Sequence, residues 1–483
     1  MRFAILIFLS FFMLKAQSID PSLTRAIVKV YTVVKKPNYT IPWSSSIYRV
    51  SGSGSIIKGN RILTNAHVVA NNTFIEVQRY GERKKYIAHV EAVSHQLDLA
   101  LLKVEEEEEF FSGIKPLEIG TLPFIGDEIS VYGFPLGGDT MSVTTGVVSR
   151  IEHQKYAHSG EYFLAIQIDA AVNGGNSGGP AIANGKIVGV VMENLSSAQN
   201  ISYLIPPVMI RHFFKDIKDG RLDGVPDVGF ITQQMQNPTL REFFNVDDNY
   251  TGVLIDKIIA DSEASKILKE SDAILAIDGH KVENDSTVNF RDTEFTNYNY
   301  YIELHQKGEA VDLRVLRDGK IKTLKLPLKF ISNDFLLVKG YEYDKMPRYL
   351  IVGGYVFAPL TRNLIISAGA RSDLLPFAHK FVSKDTKEIV VLQRVLPSEI
   401  SRGNYQYSYW IIDKLNGKKF DSFQSFAKML ESIKKYAILE NELGEKIVID
   451  MNVSRKLKDK ILERYNIEYD RSIDLRDDIN STK

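Results

Sequence analysis

Residues 172–181 read Val-Asn-Gly-Gly-Asn-Ser-Gly-Gly-Pro-Ala and set a single serine, Ser177, among four glycines. Glycine adopts φ/ψ values closed to other residues and lets neighbouring atoms approach the backbone, so this segment must form a tight, accessible loop. A serine that attacks a carbonyl needs such a loop, because backbone N–H groups must hold the oxyanion that develops. Ser177 is therefore the candidate nucleophile, with the N–H groups of Gly175 and Ser177 as candidate oxyanion donors. Taken alone, the motif also fits a Gly-rich hairpin with an incidental serine.

A serine hydroxyl requires a base, and the base requires an orienting acid. Upstream, Arg61-Ile62-Leu63-Thr64-Asn65-Ala66-His67-Val68-Val69 reads as an apolar strand running into a short turn that carries His67. Further on, Asp98 opens the strongly apolar stretch Leu99-Ala100-Leu101-Leu102. A carboxylate beside apolar neighbours is costly unless something pairs with it, and an imidazole is such a partner. By itself Asp98 also fits an ordinary strand-end or turn aspartate. The order His, Asp, Ser is that of chymotrypsin-like double barrels rather than of subtilisins or α/β-hydrolases. The other histidines, His95, His158 and His212 among them, lack this turn-and-strand setting and are expected in surface or structural roles.

The chain of 483 residues is too long for one ordinary core and implies about three domains. Sixty basic and sixty acidic residues cancel, so no global field recruits nucleic acid or an anionic membrane. Arg2, an apolar run over 3–14 and Lys15-Ala16-Gln17-Ser18 read as a signal peptide over 1–16, the run being short for a membrane span. An uncleaved anchor that associates the chain with a membrane is the alternative. The absence of cysteine excludes disulfides, thiol catalysis and Cys-ligated metal, and suits an exported protein of the bacterial periplasm. Between about residues 19 and 219 the chain reads as many short strands divided by Gly, Asn and Asp turns, as in a barrel or a sandwich. Glu105 to Glu109 read as a solvated loop, and the stretch 423–436 as a helix.

The segments Ser51-Gly52-Ser53-Gly54, Thr64-Asn65-Ala66-His67, Asp98-Leu99-Ala100-Leu101-Leu102 and Gly175-Asn176-Ser177-Gly178-Gly179-Pro180 resemble the HtrA/Deg serine proteases. Pro37-Asn38-Tyr39-Thr40-Ile41-Pro42-Trp43 and Ala165-Ile166-Gln167-Ile168-Asp169-Ala170-Ala171 are similar to the plant-type Deg subgroup. Gly174 departs from the proline common at this position and adds backbone freedom beside the nucleophile.

The resemblance implies a mainly β fold: a chymotrypsin-like double β-barrel over 19–218, then two PDZ-like α+β domains over 222–330 and 331–483. Val228-Gly229-Phe230-Ile231 resembles a carboxylate-binding loop, with Gly229, Phe230 and Ile231 as candidate peptide-binding residues; an ordinary hairpin is the alternative. Val190, Val191 and Met192 are candidates for an apolar S1 wall. The resemblance further implies a homotrimer or larger oligomer, with Tyr39, Pro42 and Trp43 as contacts near its axis or in a local core. Unfolded or misfolded polypeptides are the expected substrates and C-terminal peptides the expected PDZ ligands, with no cofactor, metal or nucleic acid required. The competing reading is a chaperone or peptide-binding scaffold whose triad is rarely assembled. With no acidic residue at the three S1 positions, a digest of unfolded β-casein is expected to show cuts mainly after Val, Ala or Ile. A map dominated by cuts after Lys or Arg would refute that preference.

Overall fold

The computed structural model describes residues 21–135, 140–192 and 202–476; the signal segment 1–16 and the tail end 477–483 lie outside the described residues. Six strands, Ile27–Pro37, Ser45–Ile57, Arg61–Thr64, Asn72–Arg79, Tyr86–Ser94 and Leu99–Val104, close into a barrel in the order 1-2-3-6-5-4. A second barrel closes from Glu128–Gly133, Ser142–Lys155, Tyr162–Ile168, Pro180–Ala183, Lys186–Val191 and Ser202–Ile205. Closure pairs every strand on both sides, leaving no edge open to aggregation. Fully buried Val30, Ile62, Leu63, Leu101 and Leu102 belong to the core built in and around the first barrel, and Leu164, Ile166, Ile168 and Leu204 to that of the second. The barrels are therefore the architecture, and the sandwich is not.

Within this frame the chemistry-bearing segments converge. The turn Ala66–Val69 leaves the end of strand Arg61–Thr64, and Asp98 immediately precedes Leu99–Val104, the strand paired beside it. Ser177 lies on the loop between strands Tyr162–Ile168 and Pro180–Ala183 of the other barrel. The carboxylate run 105–109 differs from a simple loop: Glu107–Phe111 is a short helix. Its acids stay in solvent, but Phe110 is fully buried edge-on to Tyr86 and pulls the backbone into a turn.

After helix Pro207–Asp216 the connection is pinned, because the Asp216 carboxylate accepts N–H bonds from Asp223 and Gly224. A sheet of Phe230–Gln234, Val253–Ile258, Ala273–Ile277, Ala310–Arg317 and Lys320–Pro327 follows, with Phe230–Gln234 at its edge. The last region carries a four-stranded and a three-stranded sheet around helices Phe423–Ser432 and Met451–Arg464. In Phe423–Ser432, Ser422 caps the start and Phe423, Phe426, Ala427 and Leu430 form one buried stripe. The helix is shorter than the sequence suggests. Beyond Ser432 the burial period changes from helical to alternating, and strand Tyr436–Glu440 begins.

Tyr39 and Trp43 turn toward the last region of their own chain, and Pro42 beside them is buried. Tyr39 is buried with Leu337, Val338 and Ala358, the Gln393 amide donates to the Tyr39 carbonyl at 2.7 Å, and Trp43 meets Tyr349 edge-on at 5.9 Å. Both tryptophans of the chain, Trp43 and Trp410, border this region, so their fluorescence reports its unfolding. Phe426→Ala, which removes a ring packed on Phe357 at 5.2 Å, is expected to cost about 3–5 kcal/mol, read as a lowered denaturant midpoint of that signal.

Candidate active site

Asp98 is 2 % exposed, and its burial is compensated from three directions. His67 Nδ1 lies 2.8 Å from Oδ2 and 3.0 Å from Oδ1, and the His67 backbone N–H donates to Oδ1 at 2.9 Å. The Asn65 amide donates to the Asp98 carbonyl at 2.8 Å, which steadies a residue held at φ +54°. Burial pushes the Asp98 carboxyl up, but attraction to His67 and the hydrogen bonds outweigh it and hold the carboxyl below its ordinary value. An aspartate that stays ionised against Nδ1 leaves His67 Nε2 as the ring atom that can accept a proton.

The Ser177 loop is fastened to both barrels. Ser53 N–H donates to the Ser177 carbonyl at 2.8 Å, Ser53 Oγ donates to the Gly175 carbonyl at 2.7 Å, and the Phe134 N–H donates to that same Oγ at 2.8 Å. Two glycines allow this closeness. A Cβ on Gly52 would sit 2.7 Å from a Val68 methyl and 3.1 Å from the Ser177 carbonyl oxygen; one on Gly178, at φ +83°, would sit 2.2 Å from the Ser53 carbonyl oxygen and 2.3 Å from Thr64 Oγ1. The loop is thereby set against the strand end that leads to His67. The N–H groups of Asn176, Gly178 and Gly179 donate to Asn173, Val191 and Asn176 carbonyls, whereas those of Gly175 and Ser177 have no acceptor among the described residues. The Ser177 hydroxyl makes no hydrogen bond among the described residues, and free enzymes commonly leave this contact long until substrate arrives.

Comparison with known proteins gives the family. Residues 52–190 match the family described as trypsin-like peptidase domain and residues 338–474 the one described as PDZ domain. The chain is 39% identical over 454 residues to putative protease Do-like 3, mitochondrial, of Arabidopsis thaliana, covering 93% of this chain and 80% of that protein. The chain belongs to the HtrA/Deg family of serine proteases. It is also 37% identical to protease Do-like 2, chloroplastic, of the same plant, over 94% of this chain and 76% of that protein. Among solved structures, the HtrA-type protease AlgW with tripeptide shares the fold at a TM-score of 0.50 and 23% identity, covering 64% of this chain and 94% of that one.

In this HtrA/Deg protease the three S1 candidates do not share one face. Val190 and Met192 pack with the core between the barrels, while strand alternation sends Val191 into the second barrel beside Val131 and Leu164. Of the PDZ candidates, Gly229 has φ +73° and its N–H donates to Asp227 Oδ1 at 2.8 Å, Phe230 is a core residue, and Ile231 is 37 % exposed. A cavity of about 220 Å³ beside this loop is bounded by Asp227, Val228 and Glu303 on one side and by Gln96, Glu161 and Phe163 of the barrels on the other. The loop therefore faces the protease. Burial raises the carboxyls of Asp227 and Glu161 above their ordinary values.

The histidines expected in structural roles are placed beside the site. His158 is 5 % exposed and its ring centroid lies 6.1 Å from that of His67; His95 Nδ1 is 2.9 Å from His158 Nε2. His212 bonds instead to the Glu303 carbonyl, 2.9 Å away, and helps hold the sheet region that follows the barrels against them. Ser53, which props the Gly175 carbonyl, was legible only as part of a Ser-Gly motif. Burial pushes the His158 imidazole down to about 4 from an ordinary 6.5, with Asp98 opposing the shift and His95 and His67 adding to it. The unfolded chain thus takes up this proton first. Stability from His158 is intact above about pH 6.5 and is lost as pH falls toward 4, by on the order of 3 kcal/mol. His158→Gln, which does not titrate, is expected to flatten the fall of the thermal midpoint between pH 7 and pH 4.5; an unchanged slope would exclude His158 as its source.

Proposed function

We propose that this HtrA/Deg serine protease is an ATP-independent endopeptidase that degrades misfolded or damaged polypeptides, with Ser177 as nucleophile, His67 as general base and Asp98 as the acid that orients it. The observation that carries this reading is the doubly bonded His67–Asp98 pair together with a Ser177 loop, packed on the strand end that leads to His67, whose Gly175 and Ser177 N–H groups have no acceptor among the described residues. His67 takes the proton from Ser177 Oγ at Nε2 as that oxygen attacks the peptide carbonyl, and Asp98 stabilises the imidazolium. The N–H groups of Gly175 and Ser177 receive the oxyanion. The tetrahedral species collapses to an acyl-enzyme while His67 returns the proton to the leaving amine. Water activated by the same imidazole then releases the acid.

Apolar character at Val190 and Met192 supports a small or aliphatic P1 side chain; Val191 contributes through its backbone, which accepts from Gly178 N–H at 3.0 Å. The edge strand Phe230–Gln234 supports peptide capture by strand addition, for tethering or activation, with Gly229, Phe230 and Ile231 at its entrance. A trimer or larger assembly rests on the family resemblance. The apolar run over 3–14 and relatives named for mitochondria and chloroplasts support an exported or organellar compartment, and the lack of cysteine supports the periplasm in particular.

Ser177→Ala is expected to lower casein turnover by on the order of 10⁴ to 10⁶. A fluorophosphonate probe followed by peptide mapping is expected to modify Ser177. Labelling elsewhere, or none together with retained suppression of aggregation, would favour the scaffold reading.

A further inference from the structure

Residues 342–344 join the last region of the chain to the catalytic turn over a span of three residues. At one end, the Glu342 N–H donates to Asn363 Oδ1 at 2.8 Å and the Asn363 amide returns a bond to the Glu342 carbonyl at 3.0 Å, tying the segment to helix Arg362–Ser367. At the other end, the Asp344 N–H donates to Asn71 Oδ1 at 2.9 Å and the Asn71 N–H donates to the Asp344 carboxylate. Asn71 lies two residues beyond the turn Ala66–Val69 that carries His67.

Between these anchors the side chains reach the catalytic ring. Asp344 Oδ2 lies 2.6 Å from His95 Nε2, and His95 Nδ1 lies 2.9 Å from His158 Nε2. With the His95 proton on Nε2, facing the carboxylate, Nδ1 offers its lone pair and His158 donates from Nε2. One carboxylate thereby sets the tautomer of both rings. Tyr343 stacks on His158 at 3.9 Å and 22° and on His95 at 4.6 Å and 27°, and its hydroxyl donates to the His158 carbonyl at 2.6 Å. The far neighbour of His158 is His67, at a centroid separation within the range of ring contacts. The charged and titratable groups facing His158 are thus Asp98, His95, His67 and Asp344, together with the Tyr343 phenol.

We propose that Tyr343, Asp344, His95 and His158 are positioning residues of the catalytic centre, forming a strap through which the last region of the chain sets the orientation of His67. A catalytic imidazole must be held to within about 0.5 Å of its productive geometry, and supporting groups supply that restraint. His158, neutral and shielded by Tyr343, occupies the space beside His67 without placing a second positive charge there when His67 becomes imidazolium. The inference rests on His67 and Ser177 acting as base and nucleophile.

The test uses the full chain and three variants, Asp344→Asn, Tyr343→Ala and Tyr343→Phe. The readouts are the second-order rate of fluorophosphonate labelling at Ser177, and kcat and KM for a short peptide over pH 5 to 8. Tyr343→Ala and Asp344→Asn are expected to lower the labelling rate and kcat at least tenfold with KM little changed. Tyr343→Phe, which keeps the stacking and loses one hydrogen bond, is expected to fall between them and the wild type. In Tyr343→Ala the acid limb of kcat/KM is expected to gain a second ionisation as His158 meets water and titrates nearer about 6.5. That signature separates positioning from folding, since a merely structural loss scales the profile without adding a proton. Should Asp344→Asn or Tyr343→Ala unfold, the near-isosteric Tyr343→Phe decides: a labelling rate and pH profile matching the wild type overturn the strap. Wild-type protein that does not label at Ser177 overturns instead the assignment of the nucleophile on which the strap depends.

Discussion

A single buried carboxylate organises the centre of this molecule. Asp98 is almost wholly removed from water, and leaving it there unpaired would cost several kcal/mol. The first barrel meets that cost with the His67 ring and the His67 N–H, while Asn65 steadies the Asp98 backbone. The same bonds that make the burial tolerable also choose the tautomer of His67. Stability and chemistry thus share one set of contacts. The strand Arg61–Thr64 has to pair with Leu99–Val104 for those groups to meet, so the barrel and the site form together.

The rest of the chain is built against this centre. The sheet region that begins with Phe230–Gln234 is held by His153, whose ring nitrogens lie 2.8 Å from Thr296 Oγ1 and Glu303 Oε1, and by Lys215 and Glu309 at 2.7 Å. The His153–Glu303 contact is buried and little screened by salt, whereas the Lys215–Glu309 pair is exposed and contributes little. The last region packs on Tyr39 and Trp43 and sends residues 342–344 back to His95 and His158. The two accessory regions are therefore joined to the barrels by packed contacts rather than by free linkers. A change in either accessory region reaches the barrels directly.

The mainly β character was legible because its strands are apolar on alternate residues and broken by turn residues, while the choice of barrels over a sandwich came from the His-Asp-Ser order and the family resemblance. The His67, Asp98 and Ser177 motifs were legible because each couples a reactive side chain to an unusual local backbone. Other features depend on which side of a strand or helix faces what. Val190, Val191 and Met192 are equally apolar in sequence, and only the alternation of the strand parts Val191 from its neighbours. The run 105–109 looks fully solvated until Phe110 finds Tyr86. The Gly229 loop shows its glycine in sequence, but that its N–H meets Asp227 follows from the turn it makes.

Residue order alone determined the reaction type and the barrel class and singled out the candidate serine, since each follows from residue kinds held close together along the chain. The tertiary structure alone decided the company those residues keep. His95, His158 and Asp344 are separated by 63 and 186 positions, intervals over which no periodicity or propensity links one side chain to another. Their meeting beside His67 comes from how the third region closes on the first barrel, and that closure is set by packing summed over whole surfaces rather than by any short motif.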